Sequence, residues 1–237
     1  MTSGPNPLYD DPALARAYAR VTAANVCNAA YERPAVRDVL GDVRGLDVLD
    51  AGAAAGEHSA WLAEHGARVV ALDASEAMVH IARARLGDAA TVLCADLARP
   101  LPLADASFDV VLSSLTLHYV EDWLPTLREF ARVLRPGARL VVSTHHPALT
   151  DDPGADYHAV RLVEEGWDGF GEGPVPMRFY HRPLERIVGD VLAAGFVLRA
   201  LREPRPSAEA DARDPTVAAR LRTRPWFLIL DAEAAAR

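Results

Sequence analysis

The chain has 237 residues, half of them apolar, which suits one large domain or a domain with a cap. Its net charge of −8 speaks against a nucleic-acid backbone as partner, because clustered cations are what draw phosphates in. All 25 basic residues are arginine, and the absence of lysine excludes a Walker A phosphate loop, a pyridoxal Schiff base and any catalytic lysine.

After an initial helical arm, strands and helices alternate. Residues 12–40 are rich in alanine and arginine and read as one or two helices broken near Pro34. Apolar runs at 47–51, 68–73, 91–95, 108–114 and 139–145 read as strands, with amphipathic helices between them. Between Asp122 and Leu134 the residues Leu124, Leu127, Phe130, Val133 and Leu134 recur at helical spacing, and Pro136-Gly137 stops the helix. Two further strands, Phe196–Arg202 and Trp226–Asp231, flank a Pro-, Arg- and Asp-rich stretch at 203–225. That stretch is expected as a surface loop with one short helix near Thr216–Leu221. Alternation of this kind predicts an α/β fold, a parallel sheet covered by helices on both faces.

The first strand runs directly into Asp50-Ala51-Gly52-Ala53-Ala54-Ala55-Gly56, which reads as a nucleotide-binding turn. Gly52 and Gly56 let the backbone bend sharply and approach a ligand where a Cβ would intrude. The helix opening at Glu57 would aim its free N–H groups into the same crevice. The dinucleotide pattern G-x-G-x-x-G is not met, since its third position is Ala54, and Asp50 stands just ahead of the first glycine. A carboxylate there repels a pyrophosphate and suits a ligand with an ammonium and a sulfonium, both of which S-adenosylmethionine carries.

Asp50, Asp73 and Asp96 each close a strand and stand 23 residues apart, the length of one strand-helix-loop unit. Singly, each reads as readily as a turn residue or helix cap. Three carboxylates at one edge of a sheet favour binding instead. Asp73 would accept from ribose hydroxyls, and Asp96 would lie beside the adenine with Leu97 covering one face.

With these pieces the chain resembles the class I S-adenosylmethionine-dependent methyltransferases, within them the broad group around the ubiquinone and menaquinone C-methyltransferases. The matching residues are Val48 to Gly56, Val70 to Asp73, Ala95-Asp96-Leu97, Phe108-Asp109-Val110-Val111, and Leu134-Arg135-Pro136-Gly137 leading into Leu140-Val141-Val142. The family's turn carries a middle glycine where this chain has Ala54. The resemblance implies one domain with a Rossmann-like, seven-stranded, mostly parallel sheet: a helical arm (1–44), a cofactor-binding core (45–145), an acceptor lid inserted after strand five (146–182), and a C-terminal helix and strand pair (183–237). It further implies S-adenosyl-L-methionine as cofactor, held by Asp50, Gly52, Ala53, Gly56, Asp73, Ala74, Met78, Asp96, Leu97, Ser113 and His118. The implied reaction is methyl transfer to a small-molecule acceptor, an aromatic or apolar metabolite of secondary or quinone-type metabolism.

Residues 146–182 break the alternation. Five glycines stand there beside Tyr157, Trp167, Phe170, Phe179 and Tyr180. A loop of this length is a lid or is disordered, and the aromatics argue for a lid. Tyr9 and Tyr18 from the arm, with His146, Tyr157, Trp167, Tyr180 and His181 from the insert, are therefore the candidate acceptor contacts. Histidines are the candidate bases, since they titrate near neutral pH. His145 and His146 end the fifth strand, where open α/β sheets place ligands, and are expected to orient or deprotonate the acceptor. His58, His65 and His80 read as surface or capping residues.

Cys27 and Cys94 form no ligand-spaced cluster, and no metal site is expected. No stretch approaches the roughly 20 apolar residues of a membrane span. Residues 1–10 lack a basic start followed by an apolar run, so no signal peptide is expected and a cytoplasmic monomer or homodimer is. Two other readings stay open: a cofactor-binding regulator that has lost transfer, and a nicotinamide-dependent oxidoreductase, which would need the absent G-x-G-x-x-G turn.

Overall fold

The computed structural model describes residues 6–150, 152 and 154–235. Residues 1–5 of the expected arm, 151 and 153 of the expected lid, and 236–237 lie outside the described residues. The strands are β1 (Asp47–Ala51), β2 (Arg68–Asp73), β3 (Ala90–Cys94), β4 (Phe108–Ser114), β5 (Leu134–His145), β6 (Arg161–Trp167), β7 (Val175–His181), β8 (Phe196–Arg202) and β9 (Phe227–Ala234). Seven of them form one sheet in the order β3-β2-β1-β4-β5-β9-β8. The first five in that order run parallel, and β9 is antiparallel to both its neighbours. The chain moves outward from β1 through β2 to β3, then returns to place β4 on the other side of β1. Such a reversal opens a crevice beyond the strands' carboxyl ends, at β1 and β4.

The helices are α1 (Pro7–Asp10), α2 (Pro12–Ala24), α3 (Arg33–Leu40), α4 (Glu57–Glu64), α5 (Glu76–Leu86), α6 (Trp123–Val133), α7 (Leu184–Ala193), α8 (Ala208–Arg213) and α9 (Pro215–Thr223). Strand residues alternate between the sheet's faces, so neighbours in β1 serve two cores. Leu49 joins Trp123, Leu127, Phe130 and Val191 from α6 and α7. Val48 joins Val36, Leu40 and Leu62 from α3 and α4 on the opposite face. Burial on both faces explains the continuous apolar runs of β1, β2 and β4. Each fully buried large side chain, such as Leu49 or Phe130, adds about 1.5–3 kcal/mol. α6 shows the local logic: Asp122 caps it by accepting from the Leu124 N–H at 3.2 Å, and Trp123, Leu127 and Phe130 form its buried stripe.

The structure departs from the sequence reading at several points; β3 and β9 are shifted by one to three residues at their ends, and the larger differences follow. The arm breaks at Asn25, not Pro34; Pro34 sits in the first turn of α3, where its missing N–H costs nothing. Between Asn25 and α3 runs a seven-residue π-helix, Val26–Glu32. The 203–225 stretch holds two helices, α8 and α9, capped by Ser207 and Asp214; their alanine- and charge-rich sequences show little apolar periodicity. β5 begins at Leu134, because Phe108 pairs with Leu134 before a register shift around Pro136-Gly137. The glycine-rich insert is largely a two-stranded hairpin, β6 paired antiparallel with β7. The alternation of Val175, Met177 and Phe179 inward with Pro176 and Arg178 outward is its signature.

Candidate functional site

Beyond Ala51 the backbone turns through three left-handed residues: Gly52 (φ 89°), Ala54 (φ 46°) and Gly56 (φ 80°). A Cβ on Gly52 would lie 2.2 Å from the Thr116 side chain, so this glycine is demanded by the neighbouring strand end as well as by its own backbone. The Thr116 hydroxyl in turn stands 3.1 Å from the Gly52 carbonyl and 2.9 Å from that of Ser114. Ala54 carries its positive φ at a position where glycine is free of strain.

The strand-end acids have distinct environments. Asp50 is 1% exposed and accepts the Ser59 hydroxyl at 2.6 Å; burial raises its pKa above the ordinary carboxylate value. Asp73 accepts the Ala54 N–H at 2.8 Å and the Ser75 N–H at 2.9 Å. Burial pushes its carboxyl up to about 6 against the pull of those two bonds. Asp96 is more open, accepting from the Ala98 N–H at 2.9 Å and pairing with Arg99 at 3.5 Å.

These acids border a cavity of about 520 Å³ at the carboxyl edge of the sheet. Of the residues singled out in the sequence, Tyr9, Tyr18, Asp50, Gly52, Ala53, Asp73, Ala74, Asp96 and Leu97 line it. Gly56, Met78, Ser113 and His118 do not. Gly56 is tucked against α5, where a Cβ would meet Leu86 at 3.2 Å. Met78 is fully buried among Ala15, Ala19 and Ala55. Ser113 donates to the Ala51 carbonyl at 3.0 Å inside the sheet.

The structure also puts neither of the expected catalytic histidines on the cavity wall. His145 stacks on His118 with ring centroids 3.7 Å apart and meets the Phe179 ring edge-on at 4.8 Å. Burial drives the His145 pKa down to about 3 and that of His118 well below the usual imidazole range. His146 contacts Glu203 through Nε2 at 2.8 Å and accepts the Ala148 N–H at Nδ1, which fixes its proton on Nε2. The expected lid contacts likewise hold the insert together. His181 bridges Thr150 and the Tyr157 carbonyl, and the Tyr157 hydroxyl accepts the Leu184 N–H. The Trp167 N–H donates to Glu165 at 2.6 Å while its ring packs on Phe170 and Phe179. Tyr180 is 9% exposed, its hydroxyl beside Glu121.

Among the cavity residues that the sequence did not assign to the site are Glu32, His58, Thr116 and Tyr119. The hydroxyls of Tyr9 and Tyr119 are 2.6 Å apart, and burial holds both phenols well above their usual pKa. Glu32, the last residue of the π-helix, accepts from the hydroxyls of Ser114 and Ser143 and faces His58 Nε2 at 3.4 Å. Burial pushes its pKa up, but His58 and the two serines outweigh it, and the net shift is downward. His58 is 7% exposed, not a surface residue. Tyr119 was within reach of the strand-end rule that singled out His118; nothing in the sequence signalled the π-helical turn that sends Glu32 inward. Among the described residues the walls carry Asp10, Glu32, Asp50, Glu57, Asp73, Asp96, Glu121 and Asp122 against one guanidinium, Arg33. Acids in such excess, Glu32 and Asp50 among them buried, suit a cationic ligand.

The arm closes over this cavity. Asn6 exchanges two hydrogen bonds with the Arg178 backbone on β7, at 3.1 and 3.0 Å, and the Ser75 hydroxyl donates to the Tyr9 carbonyl at 2.7 Å.

Residues 49–142 match the methyltransferase domain family. A demethylmenaquinone methyltransferase of Clavibacter sepedonicus is 40% identical over 172 residues, 71% of this chain and 65% of that protein. A malonyl-[acyl-carrier protein] O-methyltransferase of Serratia marcescens is 35% identical over 147 residues, 61% of this chain and 56% of that protein. The chain thus spans less than two thirds of either relative's length. Among solved structures, an S-adenosylmethionine dependent methyltransferase from Mesorhizobium loti superposes with a TM-score of 0.70 at 32% identity, covering 85% of this chain and 97% of that one.

Proposed function

The chain belongs to the class I S-adenosylmethionine-dependent methyltransferases, and on that premise we propose that it transfers a methyl group from S-adenosyl-L-methionine to a small, uncharged aromatic or otherwise apolar acceptor. The observation that carries this reading is the cavity itself, where the Gly52 turn, three strand-end acids and the arm's tyrosines meet. Asp73 would hold the ribose hydroxyls, Asp96 and Leu97 the adenine, and Asp50, with the backbone of Gly52 and Ala53, the amino-acid end. When bound, the cofactor supplies a methyl group on a sulfonium, so little is needed beyond alignment with a nucleophile and exclusion of water.

Tyr9, Tyr18 and Tyr119 are the side chains we assign to the acceptor. Their phenols stay protonated, so they can donate a hydrogen bond and pack against a ring but cannot act as bases. The acid-rich walls disfavour a carboxylate acceptor. That favours the kind of substrate named for the menaquinone-type relative over the kind named for the malonyl carrier-protein relative.

Incubation with methyl-labelled S-adenosylmethionine and a fractionated metabolite extract tests the proposal. Label should enter a neutral, ring-containing product. Label confined to carboxylate esters would contradict the acceptor assignment, and cofactor binding with no labelled product would favour the regulator reading.

A further inference from the structure

The connection from β4 to α6 carries part of the cavity wall on its front and is held from behind by two buried side chains. Its short 3-10 turn, Leu117–Tyr119, presents Tyr119, whose hydroxyl meets that of Tyr9 at 2.6 Å. Trp123, fully buried at the start of α6, donates its ring N–H to the Leu117 carbonyl at 2.7 Å. Arg182, the residue after β7, is 4% exposed and donates through one terminal nitrogen to the carbonyls of Val120 and Glu121. Its guanidinium carbon lies 4.6 Å from the centre of the Trp123 ring. Neither Arg182 nor Trp123 lines the cavity.

As a space-filling group Arg182 is a poor choice. Its Nε and its other terminal nitrogen are buried without a partner, and Asp190 of α7, 3.8 Å from Nε, is already paired with Arg186 at 2.8 Å. A buried guanidinium met so incompletely lowers stability where an apolar side chain of similar volume would not. The Trp123 ring beneath it offsets part of that cost. What an apolar side chain cannot supply is the hold on the two carbonyls that follow Tyr119. The strand before Arg182 also holds the arm, since the Arg178 backbone exchanges two hydrogen bonds with Asn6, three residues ahead of Tyr9. β7 and Arg182 together therefore anchor both sides of the Tyr9 and Tyr119 contact.

We propose that Arg182 is a positioning residue for methyl transfer: by holding the Val120 and Glu121 carbonyls it sets Tyr119 against Tyr9 and so fixes the wall that receives the acceptor. The proposal rests on the assignment of those tyrosines to the acceptor, and it gives Arg182 no contact with acceptor or cofactor. The acids assigned to the cofactor stand elsewhere, at the ends of β1, β2 and β3.

Two measurements in parallel test it: label transfer from saturating methyl-labelled S-adenosylmethionine to a fractionated metabolite extract, and calorimetric titration of S-adenosylhomocysteine. Arg182→Met keeps the bulk and removes the hydrogen bonds. It should lower transfer at least roughly tenfold, as a displacement of about 1 Å in a reacting site can, while S-adenosylhomocysteine affinity stays within about threefold. Arg182→Lys keeps a charged donor and should recover part of the loss. In a Tyr119→Phe background the further loss from Arg182→Met should shrink to under about threefold, because the contact that Arg182 sets is already gone. Arg182→Gln, too short to reach the carbonyls, carries the same expectations should Arg182→Met not fold. Unchanged transfer, equal losses of transfer and of cofactor affinity, or losses that multiply with Tyr119→Phe would overturn the positioning role and leave the acceptor reading standing. A parent that transfers no label would overturn the acceptor reading itself, and the role of Arg182 with it.

Discussion

The Ala54 N–H donates to the Asp73 carboxylate at 2.8 Å, so the second strand's terminal acid braces the first strand's turn. Asp73 is at once part of the site's architecture and the candidate ribose acceptor. Asp73→Ala should weaken S-adenosylhomocysteine binding by at least roughly tenfold, the loss expected for hydrogen bonds to a charged group. Asp73→Asn, which keeps one acceptor oxygen, should lose less. Unchanged affinity in both would separate Asp73 from the ligand.

Asp73 also sets a pH dependence. Its carboxyl is raised from 3.8 to about 6, so the ligand-free native state holds a proton that the unfolded chain releases earlier. Stability therefore falls as pH rises from about 4 to 6, while the ionised acceptor that the ribose needs appears over the same interval. Cofactor affinity should climb through pH 6 in the parent. The step should be absent in Asp73→Asn, and its persistence there would assign it to another group.

At Gly52 steric crowding and backbone conformation act together. Gly52→Ala places a methyl group 2.2 Å from Thr116 at a φ of 89°, and should cost about 1–3 kcal/mol in urea denaturation. Adding Thr116→Ala should recover the crowding part and leave the conformational part. Full additivity of the two substitutions would show that Thr116 is not what meets the new methyl group.

The α/β sheet was legible because β1, β2 and β4 are largely apolar runs, a pattern that burial on both faces imposes, and because β1 and β2 carry acids at their carboxyl ends. The glycine turn was legible for the same local reason, with Ala54 as its one irregular member. The π-helix was not, because i→i+5 bonding changes which side of the arm faces inward without changing composition. His145 and His146 follow the strand-end rule in sequence, but side chains at successive strand positions point to opposite faces. One is walled in by His118 and Phe179 and the other is tied to Glu203. The glycines of the insert suggested a loop and concealed the alternation of β7.

The stacked pair His118 and His145 makes the fold sensitive to acid. Burial lowers the His145 pKa from 6.5 to about 3, so the unfolded chain takes up a proton that the native state refuses. Stability is fully present above about pH 6.5 and is lost as pH falls below it, by up to about 2 kcal/mol at pH 5 for this group. His145→Phe should flatten that loss in denaturation curves between pH 7 and 5 while leaving turnover within about threefold of the parent, short of the 10²–10⁴-fold expected on removing a base. A loss of 10²-fold or more in a folded variant would restore His145 as a base.

Of residues 1–20, Asn6, Tyr9, Asp10 and Tyr18 line the cavity, and none of those described belongs to the two large sheet cores. Deleting residues 1–20 should therefore leave a cooperatively folding protein, seen in a single denaturation transition, with turnover reduced at least roughly 10²-fold through lost enclosure and positioning. Unchanged turnover in the folded truncation would remove the tyrosines from the reaction.

Titration of S-adenosylhomocysteine into the purified protein, in parallel with Asp73→Ala and Asp50→Asn, tests the assignment of the cavity most directly. Saturable binding at one site per chain, weakened by at least roughly tenfold in each variant, is the expected result. No saturable binding to the parent, or binding that both substitutions leave untouched, would contradict the placement of the cofactor between the Gly52 turn and Asp73.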